Sequence, residues 1–109
     1  MDGAGPVICE PAEWKRRAVL HGCAATGGLL GPCEGPIQGH HPLSQQALRK
    51  RGLQDLLWDD RNSMGLCYRH HRRHDNRTQV LPRALLQDSA WEFAREVGLD
   101  WMLEKRYLP

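Results

Sequence analysis

The sequence lacks the features of an exported or membrane-spanning protein. None of its apolar runs reaches the length of a membrane span, and its first residues, MDGAGPVICEPAEW, have neither a basic start nor an apolar stretch of signal-peptide length. We therefore expect no membrane partner and a cytoplasmic location. In that reducing compartment, cysteines serve more often as metal ligands than as disulfide partners.

A strong charge of one sign is also missing. Lysine and arginine number 15 against 13 acidic residues, and a net charge of +2 does not by itself indicate a nucleic-acid partner. The basic residues nevertheless form a first basic group, Arg49, Lys50 and Arg51, and a second basic group, Arg69, Arg72, Arg73 and Arg77. The two groups either converge on a phosphate-facing surface or are ordinary solvated helix faces.

Three motifs that would assign the histidines to well-known zinc proteins are absent. There is no HExxH motif of a zinc protease and no H-x-E with PCxxC of a zinc deaminase. The cysteine and histidine spacing also excludes a zinc finger with two cysteines and two histidines. The four cysteines and six histidines therefore belong to another kind of site.

The chain length suits one small domain of the α+β class with a modest core. We predict a loose tail over residues 1–10 and a short helix from Pro11, where proline fits the first turn. IQGHH and NSMGLC read as two short strands, and YRHHRRHDNR reads as a helix. This order predicts a hairpin-helix unit with both strand ends near the start of the helix.

The C-terminal part, residues 83–109, reads as structural helices. Apolar residues recur there with a period near 3.6, which is typical of a helix that packs on a core. Ser89 and Glu92 have the spacing of a capping box, and Gly98 is placed to end the helix. Asp100 is a candidate start for a final short helix.

Histidines gather at three places that suggest metal-assisted chemistry. His40 and His41 end the first strand, Asn62 lies on the second strand, and the end of that strand with the helix after it carries Cys67, His70, His71, His74 and Asp75. On a helix, residues three and four apart share a face and can bind one divalent ion together. Adjacent residues at a strand end point in opposite directions, so one histidine of the pair can bind metal while the other takes a proton from water. We expect Asn62, across the hairpin, to orient the basic histidine.

The segments GHHPLSQQ, Asn62 and LCYRHHRRHDN together resemble the HNH endonuclease family. The phrases LLWDDRN and LPRALL with WEFAREVGL are similar to small HNH proteins of bacteriophages and actinobacteria. The resemblance implies a ββα-metal (His-Me finger) core over residues 33–77 with flanking helices, and a single nuclease domain over residues 1–109. It also implies the host cytoplasm if the gene belongs to a phage, and a role beside the terminase in DNA packaging.

The same resemblance implies the role of each site residue. His41 is the general base, Asn62 is the central asparagine, and His40 and His71 are ligands of one catalytic Mg²⁺, Mn²⁺, Ni²⁺ or Zn²⁺ ion. The third ligand is Asp75, His74 or water. The expected substrate is DNA, contacted through its backbone by the two basic groups with low sequence specificity. The alternative is a zinc-stabilised DNA-binding module that does not cleave.

A structural zinc ion is a further expectation from this resemblance. Cys67 and His70 have a C-x-x-H spacing that zinc accepts, and the glycines between Cys23 and Cys33 let that loop fold back. The favoured ligands are therefore Cys23, Cys33, Cys67 and His70, with Cys9 able to replace either of the first two. Otherwise the cysteines are small buried hydrophobic residues.

Overall fold

The structure is a computed structural model that describes residues 7–109. This part of the chain is an α+β domain with five α-helices and one two-stranded sheet, which confirms the predicted class. In chain order the elements are α1 (Pro11–Leu20), β1 (Ile37–His40), α2 (Gln45–Lys50), β2 (Met64–Cys67), α3 (Tyr68–Asp75), α4 (Asp88–Glu96) and α5 (Asp100–Arg106). No helix in residues 7–109 is both long and apolar enough to cross a membrane.

The hairpin pairs β1 with β2 in antiparallel register, and α3 follows β2 without a break. Ile37 lies opposite Cys67 and His40 lies opposite Met64, so His40 stands at the end of the hairpin remote from the start of α3. The prediction that both strand ends lie near the helix start is therefore wrong. His40 still meets α3, because the helix packs back along the hairpin and places the His71 ring 5.1 Å from the His40 ring.

Two glycines, paired across the hairpin, allow α1 to pack directly on the strands. Gly39 lies opposite Gly65. A Cβ atom on Gly65 would lie 2.2 Å from the carbonyl oxygen of Gly22, and one on Gly39 would lie 2.6 Å from the Trp14 ring. Because neither strand carries a side chain at this point, Trp14 of α1 is buried against the sheet with 1% of its surface exposed.

The core joins the hairpin to the C-terminal helices. Its fully buried apolar side chains include Leu43, Leu48, Leu66, Leu81, Phe93 and Leu103. The buried apolar side chains of α4 and α5 therefore belong to the same core as those of the hairpin and of the segment that links β1 to β2, as the helical period predicts.

The start of α4 differs from the sequence prediction. The helix begins at Asp88 after Gln87, so Ser89 is already inside the first turn and cannot act as its N-cap. The Ser89 hydroxyl instead donates to the side chain of Gln87, 3.4 Å away, and the capping box is wrong. The end of the helix agrees with the prediction, because Gly98 follows it with a φ of 74°, a conformation that favours glycine.

The predicted loose tail needs a correction in the residues that are described. Residues 1–6 lie outside that range. From Val7 onward the backbone is tied to the segment before β2: Cys9 N–H donates to the Trp58 carbonyl over 3.0 Å, and Asp60 N–H donates to the Val7 carbonyl over 2.9 Å. Residues 7–10 are therefore held by strand-like backbone hydrogen bonds, which their glycine-poor, partly apolar sequence permits.

Candidate metal centres and catalytic cleft

Helix α3 sends its chemically active side chains to three different places. His70 joins the three cysteines Cys23, Cys33 and Cys67, whereas His71 and Asp75 join His40. His74 points into the core. Because successive helical residues lie about 100° apart, one short helix can build two separate metal-binding groups.

The first group has a ligand spacing that could hold a metal ion such as zinc. The His70 Nδ1 atom lies 3.1 Å from the Cys67 sulfur, 3.5 Å from the Cys23 sulfur and 3.8 Å from the Cys33 sulfur. Zinc-sulfur and zinc-nitrogen bonds of normal length, at tetrahedral angles, put such atoms about 3.6 Å apart. The four predicted ligands therefore converge at the spacing that one zinc ion requires.

The surroundings of this group prepare its ligands for a metal. The Nε2–H of His70 donates to the Leu30 carbonyl over 3.0 Å, which leaves the lone pair of Nδ1 facing the sulfur atoms. Burial raises the pKa of Cys67, but hydrogen bonds from the backbone N–H groups of His70 and Glu34, and then from Cys33 and Cys23, lower it to about 6. Cys67 is accordingly the thiol best prepared to bind as thiolate.

Cys9, the alternative ligand, does not belong to this group. Its sulfur lies 4.0 Å from the Val7 carbonyl oxygen, and the four atoms that converge come from Cys23, Cys33, Cys67 and His70. All four cysteines of the chain have free thiols. The cysteine cluster is thus a possible metal site held together by its position in the fold, with no disulfide.

The second group consists of His40, His71 and Asp75, whose ligand atoms all lie within 4.8 Å of one another. The Nε2 atom of His71 is 3.3 Å from Asp75 Oδ2, while its Nδ1–H donates to Gln38 Oε1 over 2.8 Å. The Nε2 atom of His40 hydrogen-bonds to the Tyr107 hydroxyl over 2.8 Å. Each imidazole is thus fixed through one nitrogen, and such a hydrogen bond commonly orients a histidine whose other nitrogen binds metal.

The structure places Asp75, and not His74, in this second group. His74 is 1% exposed, and its Nδ1 atom accepts the Leu81 N–H over 3.1 Å. Its ring stacks on Tyr107 with the centroids 4.7 Å apart. Burial, followed by the positive charges of Arg106 and Arg77, lowers the pKa of His74 to about 4. His74 is therefore a neutral core residue.

His41 stands beside the second group but is held differently. Its Nε2–H donates to the Leu57 carbonyl over 2.8 Å, and its ring stacks on Trp14 with the centroids 4.0 Å apart. Burial lowers the pKa of His41 to about 4 although the hydrogen bond to the Leu57 carbonyl opposes this, and the positive charge of Arg49 adds to the lowering. At neutral pH the imidazole is uncharged, and its Nδ1 lone pair is free to accept a proton.

Asn62 was predicted to orient the basic histidine, but its side chain hydrogen-bonds to the backbone of Leu43 instead. It lies two residues before β2 rather than in the strand, and it is fully buried. Its side-chain oxygen accepts the Leu43 N–H over 2.8 Å and its amide donates to the Leu43 carbonyl over 2.9 Å. Asn62 therefore fixes the backbone just after His41, whereas Leu57 and Trp14 orient the His41 ring itself.

A cleft of about 230 Å³ is lined both by His41 and by the group formed by His40, His71 and Asp75. It is lined by Gly39, His40, His41, Ser44, Gln45, His71, Asp75 and Arg106. His41 lies on the same cleft as all three members of the second metal group. A water molecule or a phosphate group in this cleft would meet both the neutral histidine and the metal ligands.

Each basic group has one residue near the cleft, and the members of the two groups are not equivalent. Arg49 lies close enough to lower the pKa of His41, and Arg72 shares a neighbouring groove with His71 and Asp75. The Arg69 guanidinium donates to the Pro32 carbonyl over 2.8 Å and so holds the loop between Cys23 and Cys33 against α3. Among the rest, Arg51 lies 5.7 Å over the Trp101 ring, and the exposed side chains are Lys50, Arg73 and Arg77.

Sequence reasoning missed the residues that hold the two histidines of the pair. Gln38 precedes His40 by two positions and so shares its face of the strand, a signal that the alternation of a strand does supply. Trp14 and Tyr107 come from distant parts of the chain and leave no such local signal.

Comparison of the chain with protein-family models, with curated proteins and with solved structures gave no match.

Proposed function

We propose that this domain is a metal-dependent endonuclease of the HNH, or ββα-metal, class that hydrolyses DNA phosphodiester bonds. The observation that carries the proposal is the shared cleft, in which neutral His41 stands beside the group formed by His40, His71 and Asp75. The hairpin followed directly by α3 supports the same class, since it presents this set of side chains on one face.

In the proposed reaction, His41 acts as the general base. The Nδ1 atom takes a proton from a water molecule, whose oxygen then bonds to phosphorus as the bond from phosphorus to the 3′ oxygen breaks. The departing 3′ oxygen takes a proton from solvent, so the products are a 5′ phosphate and a 3′ hydroxyl. A divalent ion on His40, His71 and Asp75 would supply positive charge to the phosphate and the departing oxygen.

The residues around His41 determine how well it performs this step. The Leu57 carbonyl accepts the Nε2 proton and thereby keeps the lone pair on Nδ1, while Trp14 restricts the tilt of the ring. Asn62 holds the adjoining backbone. A base fixed from three sides needs little reorganisation when the substrate binds, which favours catalysis.

DNA is the proposed substrate because the cleft is flanked by cations that suit a phosphate backbone. Arg49 lies near His41, Arg72 lines a neighbouring groove with His71 and Asp75, and Lys50, Arg73 and Arg77 are exposed cations next to them in the sequence. Contacts of this kind carry little sequence information, so we expect low sequence specificity. A zinc ion on the cysteine cluster would hold the glycine-rich loop beside α3.

Cleavage of supercoiled plasmid by the purified protein tests this proposal. The reactions contain Mg²⁺, Mn²⁺, Ni²⁺ or EDTA, with His41→Ala beside wild type. His21→Ala is the matched control, because His21 is an exposed histidine at the end of α1. We expect metal-dependent nicked or linear DNA from the wild type and the control, and a loss of at least about 100-fold in His41→Ala.

Two other outcomes would change the interpretation. Full activity in His41→Ala would show that another group is the base. DNA binding without cleavage in any of the metals would favour the non-cleaving DNA-binding module, which shares the cysteine cluster and the basic surface. A terminase partner stays a prediction from the family resemblance.

A further inference from the structure

Arg106, on the last helix, belongs to the cleft although it is distant in sequence from every other residue of the site. It lines the same cavity as His40, His41, His71 and Asp75. Its neighbour Tyr107 hydrogen-bonds to His40 over 2.8 Å, so the end of α5 is fixed at the second metal group. The guanidinium is therefore brought to the reaction centre by the packing of the C-terminal helices.

Each of the other partly buried arginines in residues 7–109 donates to an acceptor, and for Arg69 and Arg83 the acceptors are the carbonyls of Pro32 and Glu104. Arg61 is paired with Asp59 and Glu96, and Arg17 is paired with Glu13 and Asp60. Within residues 7–109, Arg106 has neither a carboxylate within 4.0 Å nor a side-chain hydrogen bond, although its side chain is half-buried. A half-buried guanidinium without an acidic partner has its donors available for an anion.

The remaining cations around the site are less well placed to meet a phosphate beside His41. Arg69 is occupied by the Pro32 carbonyl, and Arg72 donates to the Tyr68 hydroxyl. Arg49 is exposed at the end of α2 and does not line the cavity. Arg106 is the arginine that lines the cavity together with His41.

We propose that Arg106 is the phosphate-binding residue of the cleft and that its guanidinium donates to the non-bridging oxygens of the phosphodiester that is to be cleaved. The inference rests on the proposed nuclease function and adds to it a specific contact with the substrate. Two parallel N–H donors match two phosphate oxygens, so Arg106 would set the orientation of the phosphorus atom in front of His41 as well as its affinity.

The test compares Arg106→Gln with Lys105→Gln. Both changes remove one positive charge from neighbouring positions of α5, but Lys105 is exposed and does not line the cleft. Inorganic phosphate is titrated into each protein as purified, without added divalent metal, and the backbone amide signals of Gly39 and Ser44 are followed by NMR. Thermal melting of each variant confirms that it is folded.

We expect phosphate to shift these signals in the wild type and in Lys105→Gln, with at least tenfold weaker binding in Arg106→Gln, as fits the loss of a charge-assisted pair. In parallel plasmid assays, cleavage should fall about 100-fold in Arg106→Gln and stay near wild type in Lys105→Gln. Arg106→Lys keeps the charge and should recover part of the phosphate affinity, which also covers the case in which Arg106→Gln does not fold.

Equal phosphate affinity in the wild type and in Arg106→Gln or Arg106→Lys, or no phosphate-dependent shift in the wild type, would overturn the assignment of Arg106. The titration does not depend on turnover. If the wild type cleaves no DNA, the proposed nuclease function fails in the plasmid assay, while the phosphate titration still decides whether Arg106 is an anion-binding residue.

Discussion

The ring of His41 stacks on the indole of Trp14, with the centroids 4.0 Å apart and 14° between the ring planes. We expect Trp14→Leu to lower the free energy of unfolding by about 2–4 kcal/mol, because a buried indole is replaced by a smaller side chain. It should also lower the cleavage rate at least about tenfold, since a base that is free to tilt is poorly aligned.

Trp14→Phe is the matched control for this stacking. It keeps a flat ring against His41 and should retain most of the cleavage rate despite some loss of stability. Both rates are measured well below the melting temperature of the less stable variant. An unchanged rate in Trp14→Leu would show that Trp14 does not orient His41.

Removing a ligand from the cysteine cluster should release zinc and destabilise the domain. We expect Cys67→Ser to lose bound zinc, measured by elemental analysis, and to lower the melting temperature by about 10 °C or more. Cys9→Ser is the control, since Cys9 lies outside the cluster. Unchanged zinc content in Cys67→Ser, or equal loss in Cys9→Ser, would contradict the ligand assignment.

Asn62 should matter for stability because it pairs with both backbone groups of Leu43 in the core. Asn62→Ala leaves a buried N–H and a buried carbonyl without partners, and we expect a loss of about 2–5 kcal/mol in urea unfolding. Asn62→Asp still accepts the N–H but cannot donate to the carbonyl, so it should also be destabilising. Gln46→Ala, at an exposed position of α2, should stay within about 0.5 kcal/mol of wild type.

Gly65 should not accept even a methyl group. A Cβ atom there would lie 2.2 Å from the Gly22 carbonyl oxygen and 2.6 Å from that of Ala18, and the backbone at the packed end of α1 cannot easily move aside. We expect Gly65→Ala to lower the free energy of unfolding by about 3 kcal/mol or more. Gly28→Ala is the control, because the nearest atom to its Cβ would be 3.8 Å away. A similar stability for both variants would show that α1 can shift away from the hairpin.

Arg77 adopts a conformation that favours glycine, with a φ of 65° directly after the C-cap of α3. We expect Arg77→Gly to raise the free energy of unfolding by about 0.5–1 kcal/mol, because the steric strain of a side chain is removed. Arg77→Ala keeps the strain and should show no gain. Both variants lose the same charge, so any loss of DNA affinity should be equal in the two. A gain in Arg77→Ala as large as that in Arg77→Gly would contradict this explanation.

Local patterns located most of the elements, whereas the family resemblance supplied the members of the two metal-binding groups and left the third ligand beside His40 and His71 open between Asp75, His74 and water. Short-range propensity places the two strands, which end at His40 and Cys67, and the helix that starts at Tyr68. Helical spacing accounts for the pairing of His71 with Asp75. The predictions that were wrong concern features that local spacing alone does not decide. The start of α4 was predicted two residues late, because a capping box is recognised by spacing while the actual start depends on how the chain arrives at Gln87.

The sequence by itself determined which side chains could do chemistry, because histidines, cysteines and an asparagine at these spacings can serve few purposes together. Only the tertiary structure decided which of these side chains come together at each site. Packing of α3 against the hairpin separated His70, His71 and His74 into a zinc-like cluster, a cleft and the core. Packing of α1 and α5 then added Trp14, Arg106 and Tyr107, whose contacts arise from burial of apolar helix faces far away in the chain.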